Sequence, residues 1–247
     1  MSAQGMTLNP LPHIPLLADM PAPLLDEIAR ESRQRVLSRN EILFTQGSPA
    51  LAAFFVLSGR LRLMQHTTDG QDVTMGVFVP CEPVGLLVAL AGADYPATCE
   101  ALDQSTVLAV SAACIARVMS QHPPLMLKVI KMLHARLTEA NDRIRELAAE
   151  RVERRVARVV LRLANKVGVK QDVNGVSRIR IDMPLSRQSL AELAGTTLHT
   201  VSRILSDWQR SGLVDAGREQ LVILRAHDLV LVAEDIAPAE DAVSRSP

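Results

Sequence analysis

The chain has 247 residues and a mass of 26.9 kDa, enough for two domains. With 48% hydrophobic and 22% charged residues it is not a disordered chain, and 2% aromatics argue against a stacking platform for single-stranded nucleic acid. Lys plus Arg and Asp plus Glu both total 27, which excludes a histone-like binder but leaves room for a local basic face.

Residues 1–15 carry Pro10, Pro12 and Pro15, so an arm is expected there. No basic segment followed by an apolar run opens the chain, and no apolar run reaches the roughly 18 residues of a membrane span. A cytoplasmic protein with no membrane partner is expected. Leu16, Leu17, Met20, Leu24, Leu25 and Ile28 recur at spacings that predict a short helix, with Pro21 and Pro23 near its start.

From Arg35 to Val110, short apolar runs alternate with turn signals: Gly47-Ser48-Pro49, Ser58-Gly59, Asp69-Gly70, Val79-Pro80 and Gly92-Ala93-Asp94. Leu61 and Leu63, then Val73, Met75 and Val77, keep a period of two, and Asp-Gly between such runs signals a hairpin. The pattern predicts a small antiparallel barrel or sandwich within residues 16–122. Cys81, Cys99 and Cys114 stand far apart and form no CxxC pair, so a zinc ribbon or a thioredoxin-type site lacks its ligands and reduced thiols are expected.

Pro123-Pro124 opens a long helix over 123–150. Met126, Ile130, Leu133, Leu137, Ala140, Ile144 and Leu147 step by four and three, an unbroken heptad seam that predicts dimerisation. The alternative is a helix lying on its own domain. Between Lys128 and Lys170 stand twelve Lys or Arg against five Asp or Glu, so the neutral total hides a basic middle. A second helix follows from Val152 to Leu163. Gly168 and the polar stretch Lys170 to Ser177 end it, and Arg178 to Asp182 reads as a short strand.

The segment from Pro184 to Leu205 carries the chemistry. Ser186 can cap a short helix bearing Leu190, Leu193 and Ala194; Gly195 is the turn; Thr196 or Thr197 caps a second helix whose apolar face is Val201, Ile204, Leu205 and Trp208. That is a helix-turn-helix. Its second helix presents Leu198, His199, Ser202 and Arg203 on the other face. Arg203 suits guanine O6 and N7, and Arg187 and Gln188 suit phosphates. Ser186, Arg187, Gln188, Thr197, His199, Thr200, Ser202 and Arg203 form the candidate DNA-contacting set; an ordinary surface helix is the alternative. Strands around Gly217-Arg218-Glu219 add a wing, completing a DNA-binding domain over 151–226. Residues 227–247 read as a tail, disordered from about Ala237.

Barrel, long helix and winged helix-turn-helix in this order, with the stretch SRQSLAELAGTTLHTVSRIL, resemble the CRP/FNR superfamily of bacterial transcription regulators. Weaker marks are Gly47, Ser58-Gly59 and Gly85. The resemblance implies an α+β chain: a cyclic-nucleotide-binding-like barrel of jelly-roll type that senses an effector, a dimerisation helix and a winged helix-turn-helix. It implies a homodimer on a pseudo-palindromic operator of double-stranded DNA, with RNA polymerase as a partner. Ser202-Arg203 falls on the Ser-Arg pair of the FNR-type branch, whereas His199 stands where that branch carries Glu. The alternative is a non-DNA ligand-binding module or an enzyme on the same barrel, but no GxSxG, HExxH or Walker A motif occurs.

The family's cAMP-binding members carry a Gly-Glu-Leu stretch and an Arg-Ser-Ala stretch. Here these read Gly85-Leu86-Leu87 and Tyr95-Pro96-Ala97, and the family's Thr-Ser pair on the long helix falls on Ala140-Asn141. A phosphate needs a cation or several donors, so no cAMP binding is expected. The iron–sulfur members have N-terminal cysteines that this chain lacks, so no such cluster is expected either. The candidate effector pocket is then Leu86, Leu87, Tyr95, Pro96, Ala140 and Asn141, and with Leu86, Leu87, Val88, Leu90 and their neighbours it reads as mostly apolar. It is similar to that of the nitrogen-oxide-responsive branch, some of whose members use haem to sense nitric oxide or another gas. Haem needs an axial ligand, and among His13, His66, His122 and His134 the candidate is His13, with a structural or exposed role as its alternative. No other metal site is visible.

Overall fold

The computed structural model describes residues 10–67, 72–173 and 176–236. The chain forms two compact units, Met1–Glu139 and Ala140–Pro247.

The first unit begins with a 3-10 turn at Leu11–His13 and a run of further turns. Leu11, Ile14, Leu17 and Met20 recur every third residue and are all buried, and each N–H from Ile14 on donates to the carbonyl three residues back. A 3-10-like path brings every third side chain onto one line, which is why this segment packs while its prolines forbid an α-helix. The arm expected over 1–15 is therefore, from Pro10 on, part of the core; residues 1–9 lie outside the described residues. The helix expected from Leu16 starts later, as α1 at Ala22–Glu31, because Pro21 and Pro23 fit only its opening turn.

Eight strands follow: β1 (Arg33–Leu37), β2 (Ile42–Phe44), β3 (Ala52–Ser58), β4 (Leu61–His66), β5 (Asp72–Phe78), β6 (Pro83–Val84), then, after the helix α2 (Leu86–Ala91), β7 (Thr98–Ala101) and β8 (Ser105–Ser111). They build two antiparallel sheets, in the orders β1-β8-β3-β6 and β2-β7-β4-β5. The Asp69-Gly70 turn lies outside the described residues, but β4 and β5 pair from Leu61 with Phe78 to His66 with Asp72, as a hairpin requires. Phe54, Val56, Leu61, Phe78, Tyr95, Cys99 and Val107 are packed in one cluster between the sheets. Phe55, Leu108 and Val110 pack in a second cluster with Leu11, Ile14, Leu17, Ile28 and residues of α3 (Ala112–Gln121) and α4 (Pro123–Ala149). β3 is thus covered on both faces, which explains its unbroken apolar run Ala52 to Leu57. Asp19 accepts a hydrogen bond from Lys128 of α4 at 2.8 Å, and this bond and the ammonium charge hold its carboxyl below the usual range.

The second unit takes the last ten residues of α4, then α5 (Val152–Val167), β9 (Gly168–Val173), β10 (Val176–Ile181), α6 (Arg187–Ala194), α7 (Leu198–Arg210), β11 (Val214–Ala216), β12 (Leu221–Ile223) and α8 (Ala226–Glu234). Its sheet runs β11-β12-β10-β9. The polar stretch expected to end α5 is β9, paired with β10 through six residues. The tail expected from 227 is corrected as well. Residues 226–234 form a helix against α5, and its Leu229 and Ala233 are buried. Residues from Ala237 lie outside the described ones. Among the described residues no helix is long and apolar enough to cross a membrane.

Candidate nucleic-acid interface

Local chemistry sets the two helices of the second unit. Ser186 caps α6 by accepting the N–H of Ser189 at 3.0 Å. The other end closes through Gly195, at φ 60° and ψ 50°. The N–H of Gly195 donates to Glu192 O at 3.2 Å and that of Thr196 to Ala191 O at 3.0 Å, the pairing of a Schellman motif. Thr197 then caps α7 by accepting the N–H of Thr200 at 3.2 Å. Val201, Ile204, Leu205 and Trp208 bury one face of α7, and the indole N–H of Trp208 donates to Glu153 of α5 at 2.8 Å.

The opposite face is open. Leu198 is 47% exposed, His199 and Arg203 are exposed and Ser202 is half-buried. His199 and Arg203 stand one turn apart, as do Leu198 and Ser202, so the four share a surface. The side chains of His199 and Arg203 make no hydrogen bond or ion pair with the described residues and are free for a ligand. The rest of the expected set divides. Arg187 stands half-buried at the start of α6; Gln188 is exposed and donates to Glu192 at 3.0 Å. The hydroxyls of Ser186, Thr197 and Thr200 are engaged in capping, at 2.9 Å from Ser189 Oγ in the first case and from each other in the second. The β11–β12 wing ends in a turn closed by Gly217 N–H on Gln220 O, with Arg218 exposed on it, a cation the sequence reading passed over. Glu153 was also missed; the chain's one Trp, on the buried face of α7, was the available signal for a polar partner.

Within the first unit, the residues expected to line one effector pocket divide between its two apolar clusters. Tyr95 is buried between the sheets, with its ring 3.8 Å from that of Phe44 and its hydroxyl donating to Ala52 O at 2.6 Å. Leu86 belongs to the other cluster, where it lines a small apolar cavity with Leu16, Phe55, Val110, Val118 and Leu125. Leu87 packs half-buried against that cluster, and Pro96 is exposed. Ala140 and Asn141 are exposed on α4 in the second unit. His13 is exposed between buried Leu11 and Ile14, and the cavity is lined by aliphatic side chains and Phe55, so the described residues that line it offer haem no axial ligand. Among the described residues no group of three or more His, Cys, Asp or Glu stands ready for a metal. Cys99 and Cys114 are buried in the two clusters, and Cys81 is half-buried in a turn. The seam is open: Met126, Ile130, Leu133, Leu137, Ile144 and Leu147 are 48–65% exposed, and Ala140 is exposed with them.

Two family models match, a cyclic nucleotide-binding domain over residues 34–122 and a Crp-like helix-turn-helix domain over 154–231. The chain is 27% identical over 212 residues to the transcriptional activator protein anr of Pseudomonas aeruginosa, covering 85% of this chain and 83% of that one. It is also 27% identical over 220 residues to the transcriptional activator protein FnrA of Stutzerimonas stutzeri, with 88% and 85% covered. Its fold is similar to that of FixK2 from Bradyrhizobium japonicum, with a TM-score of 0.70 at 22% identity over 84% of this chain and 98% of the other.

Proposed function

This chain belongs to the CRP/FNR family of DNA-binding transcription regulators, and on that footing we propose that it acts as a homodimer reading a pseudo-palindromic operator with α7. The observation that carries the reading is the open face of α7. Among the described residues Arg203 and His199 have no partner, on a helix fixed at its start by the Thr197 cap and along its length by its buried side, which is what base readout in a major groove requires. The exposed seam of α4 supports the dimer, since seven apolar side chains at heptad spacing need a partner helix. Its proposed place is the cytoplasm, with RNA polymerase as the protein partner. The relatives it matches are transcription regulators, not enzymes.

The signal is proposed to be a small molecule other than cAMP. Leu86, Tyr95 and Pro96 bring no cation where a cyclic phosphate would need one, and Tyr95 is held in place by Phe44 and Ala52. Haem ligated by His13, as a route to nitric oxide or another gas, draws no support from an exposed His13. The test is selection of a duplex from a randomised pool, followed by anisotropy titration against its scrambled counterpart. A preference of about a thousandfold is expected for specific readout; equal binding of both would overturn it. Calorimetry with cAMP should register no heat, and a micromolar dissociation constant would overturn the effector reading.

A further inference from the structure

The reading helix α7 follows α6 through a three-residue turn, so the end of α6 sets where α7 stands. That end is held from outside the helix-turn-helix. Arg143, on the last stretch of α4, donates through Nη2 to Leu193 O at 2.7 Å. Arg155 of α5 donates through Nε to Ala194 O at 3.1 Å, through Nη2 to Gly195 O at 3.2 Å and through Nη1 to Glu150 O at 2.9 Å. The carbonyls of Leu193 and Ala194 belong to the last turn of α6, where a helix leaves its acceptors without partners and its dipole is negative. Two guanidinium groups therefore satisfy the acceptors and complement the field. The stretch of α4 that supplies Arg143 is itself fixed, because the nearly buried carboxylate of Glu146 accepts two bonds from Arg162 of α5, at 2.8 and 3.1 Å. Both arginines are half-buried.

We propose that Arg143 and Arg155 are positioning residues for DNA reading, acting through the carbonyl end of α6 and the Gly195 turn. This rests on the reading that α7 recognises base sequence. Without them the fold has its core, but the end of α6 is free to tilt and α7 no longer meets the base edges at one angle. A phosphate-contacting arginine would behave differently, since its loss weakens binding to all sequences and lowers the salt slope by about one.

The test compares wild type, Arg143→Ala, Arg155→Ala and Arg143→Lys by anisotropy titration at several salt concentrations. The probes are a duplex enriched from a randomised pool by the wild-type protein and its scrambled counterpart. Trp208 emission serves as a monitor of α7 packed on α5. Each Ala variant should lose about tenfold in affinity for the enriched duplex, the worth of one base contact, with scrambled-duplex affinity and salt slope unchanged. Arg143→Lys, which keeps the charge and a donating ammonium, should recover part of the loss while Trp208 emission stays native. The proposal is overturned if the Ala variants bind the enriched duplex like wild type, or lose affinity for both duplexes alike. It is also overturned if the lysine variant, with native emission, binds no better than Arg143→Ala. A wild-type protein that cannot tell the two duplexes apart would instead defeat the reading of α7 itself.

Discussion

Leu147 fills the space in which a side chain on Gly195 would begin: its Cδ2 lies 2.5 Å from the position of a Cβ there. The last seam residue of the long helix thus rests on the turn between the two DNA-binding helices. Gly195 also sits at φ 60°, where a Cβ meets the following carbonyl. Leu147 is 48% exposed and its tip can swing aside, so Gly195→Ala should cost about 1–2 kcal/mol, from the left-handed backbone. Thermal unfolding of the variant checks this, and an unchanged midpoint would show that the turn relaxes freely.

Leu137→Glu tests the seam. Leu137 is 58% exposed in one chain, and in a paired seam its replacement buries an unpaired carboxylate, at a cost of about 3–5 kcal/mol. Analytical ultracentrifugation should find a dimer for the wild type and a monomer for the variant. A variant of dimer mass would move the interface elsewhere.

Arg203 and Arg187 should separate cleanly. If Arg203 is the proposed bidentate reader, Arg203→Ala should erase about 1–3 kcal/mol of discrimination at one guanine per half-site, the half-sites lying about one helical turn, ~34 Å, apart. Arg187→Ala should weaken all duplexes alike. Titrations against duplexes with each base replaced in turn decide the matter. Full guanine preference in Arg203→Ala would place another residue in the groove.

The cysteines give a pH-linked prediction. Burial pushes the Cys99 thiol up to about 12, with the Glu100 carboxylate adding to the shift. A thiol alkylates only as its thiolate, so at pH 8 roughly one Cys99 in ten thousand is reactive. Iodoacetamide on the native protein should label Cys81 and spare Cys99 and Cys114, whose thiol burial likewise pushes up. All three should react in denaturant. Mass mapping of labelled peptides reads the result, and native labelling of Cys99 as fast as Cys81 would mean that the space between the sheets opens readily.

The long helix, the helix-turn-helix and the wing were legible in the sequence because each rests on local chemistry. Heptad spacing, a Gly at a positive φ and hydroxyl caps act within a few residues of one another. What depends on distant parts of the chain was not legible. The packing of Leu11 and Ile14 follows a period of three that the prolines concealed, and β9 shows too much polar surface to declare itself a strand. Tyr95 could be placed near Pro96 from sequence, but only the two sheets reveal that Phe44 claims its ring. Arg143 and Arg155 have backbone carbonyls as partners, and a carbonyl belongs to every residue alike. No pattern of side chains announces such a bond.

The open stripe along α4 also bears on supply. A solitary chain holds the six large apolar side chains of this stripe exposed to water, an unfavourable state that the proposed pairing with another copy would relieve. Below the concentration at which copies meet, doubling the amount of chain raises the amount of paired protein about fourfold. If the proposed dimer is the DNA-binding form, operator occupancy responds to gene dosage more steeply than in proportion, and dilution by growth lowers it sooner than the dilution alone would.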